Sequence, residues 1–95
     1  MNFDPFDILG TWKLTSENSS ELLKFKPDGT YHIYYEVPFR LIELGEWKMY
    51  NNKLMLFYSN TDIICKITQL TGNDMEFIHL SEYQELIKDN YKRIN

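Results

Sequence analysis

Residues 9–14 read LGTWKL, and residues 44–49 read LGEWKM. Each copy places a glycine two positions before a tryptophan, which shares one face of an extended chain with the apolar residue two positions later. Polar side chains fill the alternate positions, and this is the pattern of a half-buried β-strand. Glycine beside a large indole allows a bend or bulge in the strand. The internal repeat therefore predicts two strands, each of which begins one half of a β domain.

Turn residues divide the rest of the chain into short segments, several of which alternate apolar and polar side chains. Pro27, Asp28 and Gly29 form a tight-turn sequence, and Asn51-Asn52 is another because Asn tolerates a left-handed backbone. The predicted strands are roughly 10–17, 21–26, 29–37, 39–50, 53–59, 62–70, 74–80 and 84–94. Proline after an acidic N-cap residue predicts a short helical turn near the N-terminus. The sequence thus predicts an all-β fold, an antiparallel up-and-down meander of about eight strands in a sandwich or barrel.

The length of the chain limits the number of domains, and its composition and charge limit the classes of partner. A chain of 95 residues suits a single domain, 1–95, with one core. Its 43% hydrophobic and 25% charged residues are ordinary for a globular protein, and 16% aromatic residues favour strands. The net charge is −4 with no run of Lys or Arg. We therefore expect no nucleic-acid partner and no membrane partner.

The start of the sequence and its single cysteine indicate where the protein is located. No signal-peptide pattern follows Met1, and Cys65 is the only cysteine, so an internal disulfide is impossible. We expect a cytoplasmic protein, or one from which a leader has been removed. A monomer or weak dimer is expected, with pairing through a Tyr- and Ile-rich strand edge if the barrel does not close.

Four landmarks, in this order, are similar to those of bacterial lipocalin-like domains: Gly10-x-Trp12, the hairpin of residues 27–31, Gly45-x-Trp47 and Tyr91-Lys92-Arg93. The resemblance spans essentially the whole chain. It implies a closed lipocalin-like barrel that binds small apolar molecules inside. It also implies that Trp12 packs at the closed end beneath Arg93, with the guanidinium stacked on the indole. The residues expected to build the barrel are Gly10, Trp12, Gly45, Trp47 and Arg93.

Catalytic and metal-binding patterns are missing from the sequence. His32 and His79 do not have metal-ligand spacing, and one cysteine does not support structural zinc. There is no Gly-x-Ser-x-Gly elbow and no phosphate-binding glycine loop. We therefore predict a protein that is not an enzyme, with no catalytic residues, no metal and no cofactor.

Glu43 conflicts with the strand pattern. Unbroken alternation along the fourth predicted strand places Leu41 and Glu43 inward with Phe39. A buried carboxylate without a partner is costly. One interpretation is a bulge near Leu44-Gly45 that returns Glu43 to solvent. The other makes Glu43 the polar anchor of a pocket, paired with Arg40 or with a tyrosine hydroxyl.

The leading functional hypothesis is a non-enzymatic barrel that holds a small, partly apolar ligand. The pocket is expected to open at the end away from Trp12 and Arg93, with a volume of about 300 Å³ or more. The candidate ligand-binding residues are Tyr31, Tyr35, Leu41, Glu43, Tyr58 and His79. The alternative is a cytoplasmic protein-binding module, such as an immunity protein that neutralises a toxin, because acidic surfaces capture basic partners rapidly. Ordinary cross-strand packing also accounts for the tyrosines.

Overall fold

The computed structural model describes residues 3–15, 20–81 and 83–95. A 3₁₀ turn, Pro5–Ile8, precedes eight strands, which confirms the predicted all-β fold with a short helical turn. The strands are β1 Gly10–Leu14, β2 Leu22–Phe25, β3 Thr30–Glu36, β4 Phe39–Tyr50, β5 Lys53–Tyr58, β6 Thr61–Leu70, β7 Asp74–Leu80 and β8 Leu86–Arg93. The first predicted strand extended to residue 17, and its positions 16–17 lie outside the described residues.

Each strand pairs antiparallel with the next, and β8 returns to pair with β1. Trp12 lies opposite Arg93 and Leu14 lies opposite Tyr91 across the closing pair. The meander is therefore a closed barrel, and not a two-sheet sandwich. Closure pairs the first and last strands of the meander with each other, so that neither is left as a free sheet edge.

The turns use the residues that their backbone angles require. Asn51 and Asn52 have φ of 49° and 65°, as expected for a two-residue hairpin turn in the left-handed region. Ser59 and Asn60 have φ of 44° and 66° and form the equivalent turn between β5 and β6. Gly29 has φ of 90°, which glycine adopts without steric cost. These turns fix the strand register along the chain.

Large aromatic side chains fill the barrel near its first strands. Trp12 and Tyr31 are fully buried, and Phe25 is almost so. The Phe25 ring meets the Trp47 ring edge to face, with centroids 5.6 Å apart. The Trp47 Nε1–H donates to the Lys26 carbonyl at 3.0 Å, so its polar atom is satisfied. The two Gly-x-Trp strands thus contribute indoles to the barrel, as their pattern predicts.

Arg93 closes one end of the barrel. Its guanidinium carbon lies 4.3 Å from the centroid of the Trp12 ring. Three nitrogens donate at 2.6 Å to backbone carbonyls of Asp7, Leu9 and Gly72. The Trp12 Nε1–H in turn donates to the Ile8 carbonyl at 2.9 Å. The pair therefore ties the N-terminal turn and the β6–β7 turn to the last strand, and its role is structural.

Gly10 makes this arrangement possible. Its φ is 121°, a backbone conformation that residues with a Cβ rarely adopt. A Cβ at this position would lie 2.5 Å from the Asn95 carbonyl oxygen and 2.6 Å from Nη1 of Arg93. The glycine of the first Gly-x-Trp copy therefore leaves the space that the guanidinium occupies.

We predict that Arg93→Ala lowers the free energy of unfolding by about 3 kcal/mol, because it removes charge-assisted hydrogen bonds and a cation–π contact together. Urea denaturation followed by tryptophan fluorescence measures the change. Lys92→Ala, one residue earlier, removes only an exposed ion pair with Asp74 and should change stability by less than about 1 kcal/mol. Equal losses in the two variants would show that Arg93 does not hold the closed end.

Candidate functional site

The inward-facing side chains become polar toward the open end of the barrel, where the turns at residues 37–38 and 59–60 lie. Tyr31 and Glu43 meet on the β3–β4 side of the wall, and His79 and Asp89 meet on the β7–β8 side. These two hydrogen-bonded pairs are candidate polar contacts for a ligand.

Tyr31 donates its hydroxyl to Oε2 of Glu43. The strand register sets this contact, since Ile33 lies opposite Glu43 and Tyr31 lies opposite Gly45. A Cβ on Gly45 would come within 2.7 Å of the Tyr31 ring and 2.3 Å of the Phe57 carbonyl oxygen. Gly45 therefore makes room for the tyrosine. Burial and the hydrogen bond to the Glu43 carboxylate both raise the pKa of Tyr31 well above its ordinary value, so the hydroxyl stays protonated.

A bulge lies at Ile42, and it corrects two sequence predictions. The register passes from Ile33 opposite Glu43 to Tyr34 opposite Leu41, so Ile42 is the extra residue on β4. The bulge expected near Leu44-Gly45 is therefore misplaced, and Glu43 faces inward to a tyrosine hydroxyl. The prediction that Leu41 faces inward is wrong, because the extra residue turns it to the outer face with Tyr34.

Phe39 follows Leu41 to the outer face for the same reason. It lies opposite Glu36, which shares a face of β3 with Tyr34. The Phe39 and Tyr34 rings are 5.8 Å apart between centroids, which agrees with a shared face. Tyr35 and Arg40 lie opposite each other on the inner face beyond the bulge.

His79 bonds to Asp89 on the neighbouring strand, with Nε2 2.9 Å from Oδ2. Both side chains are largely buried. Asp89 was missed as a site residue because alternation in the last strand is poor. Asp89 lies two positions before Tyr91 and four before Arg93, both of which face inward. Alternation counted back from these two residues places Asp89 on the inner face. A carboxylate beside imidazole orients the ring and fixes its tautomer.

The wall of the barrel opens between β6 and β7. Pairing of these strands begins at Lys66 opposite Ile78 and continues toward the closed end. Among the strands that the structure describes, residues 61–65 pair only with β5, and residues 79–80 pair only with β8. We call this opening, between residues 61–66 and 78–81, the seam. It gives access to the inner wall beside His79.

Two clefts occupy the seam. The larger has a volume of about 620 Å³ and lies at the open end, lined by Thr61, Asp62, Ile63, Ile64, His79, Leu80 and Ser81. The smaller, of about 380 Å³, lies beside it and extends from the β4–β5 turn to β8, lined by Asn51, Lys53, Ile64, Cys65, Lys66, Ile78, His79, Leu80 and Leu86. Both are lined by Ile64, His79 and Leu80. The sequence predicted a cavity within the barrel, whereas these clefts lie in its wall.

The six candidate ligand-binding residues divide into three groups in the structure. Tyr31 and Glu43 are joined, and Tyr58, on the same inner face at the end of β5, lies close enough to contribute to the raised pKa of Tyr31. His79 lines both clefts on the other side of the barrel. Tyr35 lies beyond the bulge and is half-buried, and Leu41 faces outward.

Cys65 lines the smaller cleft but is only 1% exposed. Burial, with a smaller contribution from Asp89, raises the pKa of its thiol to about 12. The thiol is therefore neutral at ordinary pH and is a poor nucleophile. Among the described residues, no three His, Cys, Asp or Glu side chains are grouped as a metal site. No helix within the described ranges has the length and apolarity needed to cross a membrane.

The sequence matches no protein-family model, and a search of curated proteins finds no similar sequence. The likeness to lipocalin-like domains therefore depends on the four landmarks quoted above. What can be said of function comes from the two polar pairs and the seam.

Cys65 should make stability depend on pH in the alkaline range. A thiol in the unfolded chain ionises at its ordinary pKa of 9.0, whereas the folded value is about 12. The contribution of this raised pKa to the free energy of unfolding is fully present below pH 9 and is lost as the pH rises toward 12. We predict that Cys65→Ala makes the fall in unfolding free energy between these pH values less steep, measured by urea denaturation at several pH values.

Leu54→Ala is the matched control, since Leu54 is buried opposite Cys65 but does not titrate. It should lower stability by a similar amount at every pH. An unchanged slope in Cys65→Ala would show that the folded thiol ionises as easily as the unfolded one.

Proposed function

We propose that this protein binds a small, partly apolar molecule at the seam and performs no covalent chemistry on it. The observation that carries the proposal is the pair of clefts where β6 and β7 stop pairing, because the inward-facing His79 and the outward-facing Ile64 and Leu80 line both of them. A concave site with apolar walls and few polar groups is the usual form of a small-molecule pocket.

The apolar part of the binding energy comes from side chains that line the clefts. Ile64, Leu80 and Leu86 are all well exposed there. Covering apolar surface releases about 25 cal/mol per Å². A ligand that lies along these three side chains gains this energy without a change in the barrel.

The polar part comes from His79. Asp89 bonds to Nε2, and a neutral imidazole held in this way carries its proton on that nitrogen. Nδ1 is then a hydrogen-bond acceptor. The geometry therefore favours a ligand with an apolar body and one hydroxyl or amine N–H group.

The protonated thiol of Cys65 favours binding over catalysis. The Cys65 thiol lines the same cleft as His79, but its pKa of about 12 keeps it protonated. A histidine–carboxylate pair without an activated nucleophile orients a ligand but does not attack it.

N-phenyl-1-naphthylamine is a suitable probe, because it is small, fluoresces in apolar surroundings and carries one N–H group. We predict saturable binding to the wild-type protein in a fluorescence titration. Leu80→Glu should weaken binding at least about tenfold, since a carboxylate in the cleft loses hydration when the probe enters. His79→Leu should weaken it less, because only the polar contact is lost.

Phe6→Glu is the matched control. Phe6 is 77% exposed, against 57% for Leu80, but it lies on the N-terminal turn at the closed end. The same charge introduced there should leave the affinity unchanged. If both variants bind equally well, or if the wild-type protein does not bind the probe, the seam is not the binding site.

A further inference from the structure

β4 is longer than its neighbour β5, and part of it has a free edge. β4 has 12 residues, but its pairing with β5 begins only at Glu46 opposite Phe57. Residues 39–44 pair with β3 on one side and, within the described residues, with no strand on the other. We call residues 39–44 the β4 edge. At about 3.3 Å per residue the strand spans about 40 Å, close to the 39 Å length of the molecule.

The β4 edge is apolar and exposed. Phe39 is 71% exposed, and Leu41, Ile42 and Leu44 are also exposed on the same stretch. Val37, in the adjoining turn, is 93% exposed. A free strand edge that carries large apolar side chains is a template for pairing with another strand. The exposed surface and the free backbone groups therefore point to the same mode of contact, strand addition.

Two charges interrupt the apolar residues of the edge. Arg40 is exposed and makes no ion pair within the part of the chain that the structure describes. Glu43 accepts from Tyr31 through Oε2, and its second oxygen can accept another donor. The edge thus presents one cation and one anion, three positions apart.

The edge is complementary to itself. When two copies run antiparallel about a two-fold axis between positions 41 and 42, Arg40 lies opposite Glu43 of the other copy, and this pair occurs twice. Phe39 then lies opposite Leu44, again twice. Such reciprocal pairs are what a two-fold symmetric interface requires.

The bulge at Ile42 makes this register possible. In a regular strand, positions 40 and 43 face opposite sides, and so do positions 39 and 44. The extra residue places Arg40 and Glu43 on one face and Phe39 and Leu44 on the other. Directly opposed residues of paired strands share a face, so each pair meets on the side where both partners lie. A bulge often protects an edge from pairing, but here it aligns the faces.

We propose that the β4 edge pairs with the same edge of a second copy to form a two-fold symmetric dimer. The charges on the edge favour this partner, because antiparallel pairing of two identical edges places each Arg40 opposite a Glu43. The dimer also covers Phe39 and Leu44. The β4 edge borders β5, whereas the seam lies between β6 and β7, and dimer formation at the edge does not depend on ligand binding.

Sedimentation equilibrium over a range of protein concentrations tests the charge pairing. The wild-type chain should dimerise, and Arg40→Glu should weaken the dimer at least about tenfold, because like charges then face each other twice. The swap Arg40→Glu with Glu43→Arg should restore it. Lys48→Glu is the control, since Lys48 is exposed on the part of β4 that pairs with β5.

Cysteine cross-linking tests the register without changing Glu43. Opposed Cα atoms in an antiparallel pair are about 4.5–5.5 Å apart, within reach of a disulfide. A mixture of Phe39→Cys and Leu44→Cys chains should form a cross-linked dimer under mild oxidation, whereas a mixture of Phe39→Cys and Lys48→Cys chains should not. The only native thiol, Cys65, is buried.

A wild-type chain that stays monomeric at every concentration overturns the proposal, and the edge is then left for a different protein. A dimer that is insensitive to Arg40→Glu, or cross-links that form equally in both mixtures, also overturns it, because the contact is then elsewhere. Cross-linking in the first mixture alone supports the register even if the doubly substituted chain fails to fold.

Discussion

The guanidinium of Arg93 holds the closed end of the barrel together. It stacks on Trp12 and reaches backbone carbonyls of the N-terminal turn and the β6–β7 turn. Strand pairing is therefore held at the closed end, and differences in strand length appear at the other. β6 has 10 residues against 7 for β7, and β4 has 12 against 6 for β5. The β4 edge is the second of these differences, whereas the seam adds to the first a loss of β6–β7 pairing at residues 64–65 and 79–80, which are present on both strands.

Much of the fold could be predicted because local chemistry determines it. Alternation around Trp12 and Trp47 marks strands that bury an indole, and the Asn51-Asn52 pair marks a turn that few other residues allow. The start of β8 was less well predicted, since apolar alternation weakens there. The position of the bulge could not be predicted, because Leu41 and Ile42 are both apolar and either could be the extra residue. That single residue decides which side chains face inward near the open end.

The candidate site was only partly predictable for a related reason. Glu43 and His79 stood out as polar residues on apolar faces, and each has a partner in the structure. Asp89 did not stand out, because its strand lacks clean alternation. The seam depends on where β6 and β7 stop pairing, and this is set by register and length across the whole barrel. Ile63 and Ile64 place apolar side chains on the two faces of β6. This pattern fits a paired strand and an open seam equally well.

The proposed function requires that a small, partly apolar molecule binds at the seam beside His79. Amide chemical shifts recorded by ¹H–¹⁵N NMR during addition of N-phenyl-1-naphthylamine test it residue by residue. We expect the largest shifts at Ile64, His79 and Leu80, which line both clefts, with little change near Trp12 at the closed end. Shifts confined to the β4 edge, or spread evenly over the barrel surface, would contradict it.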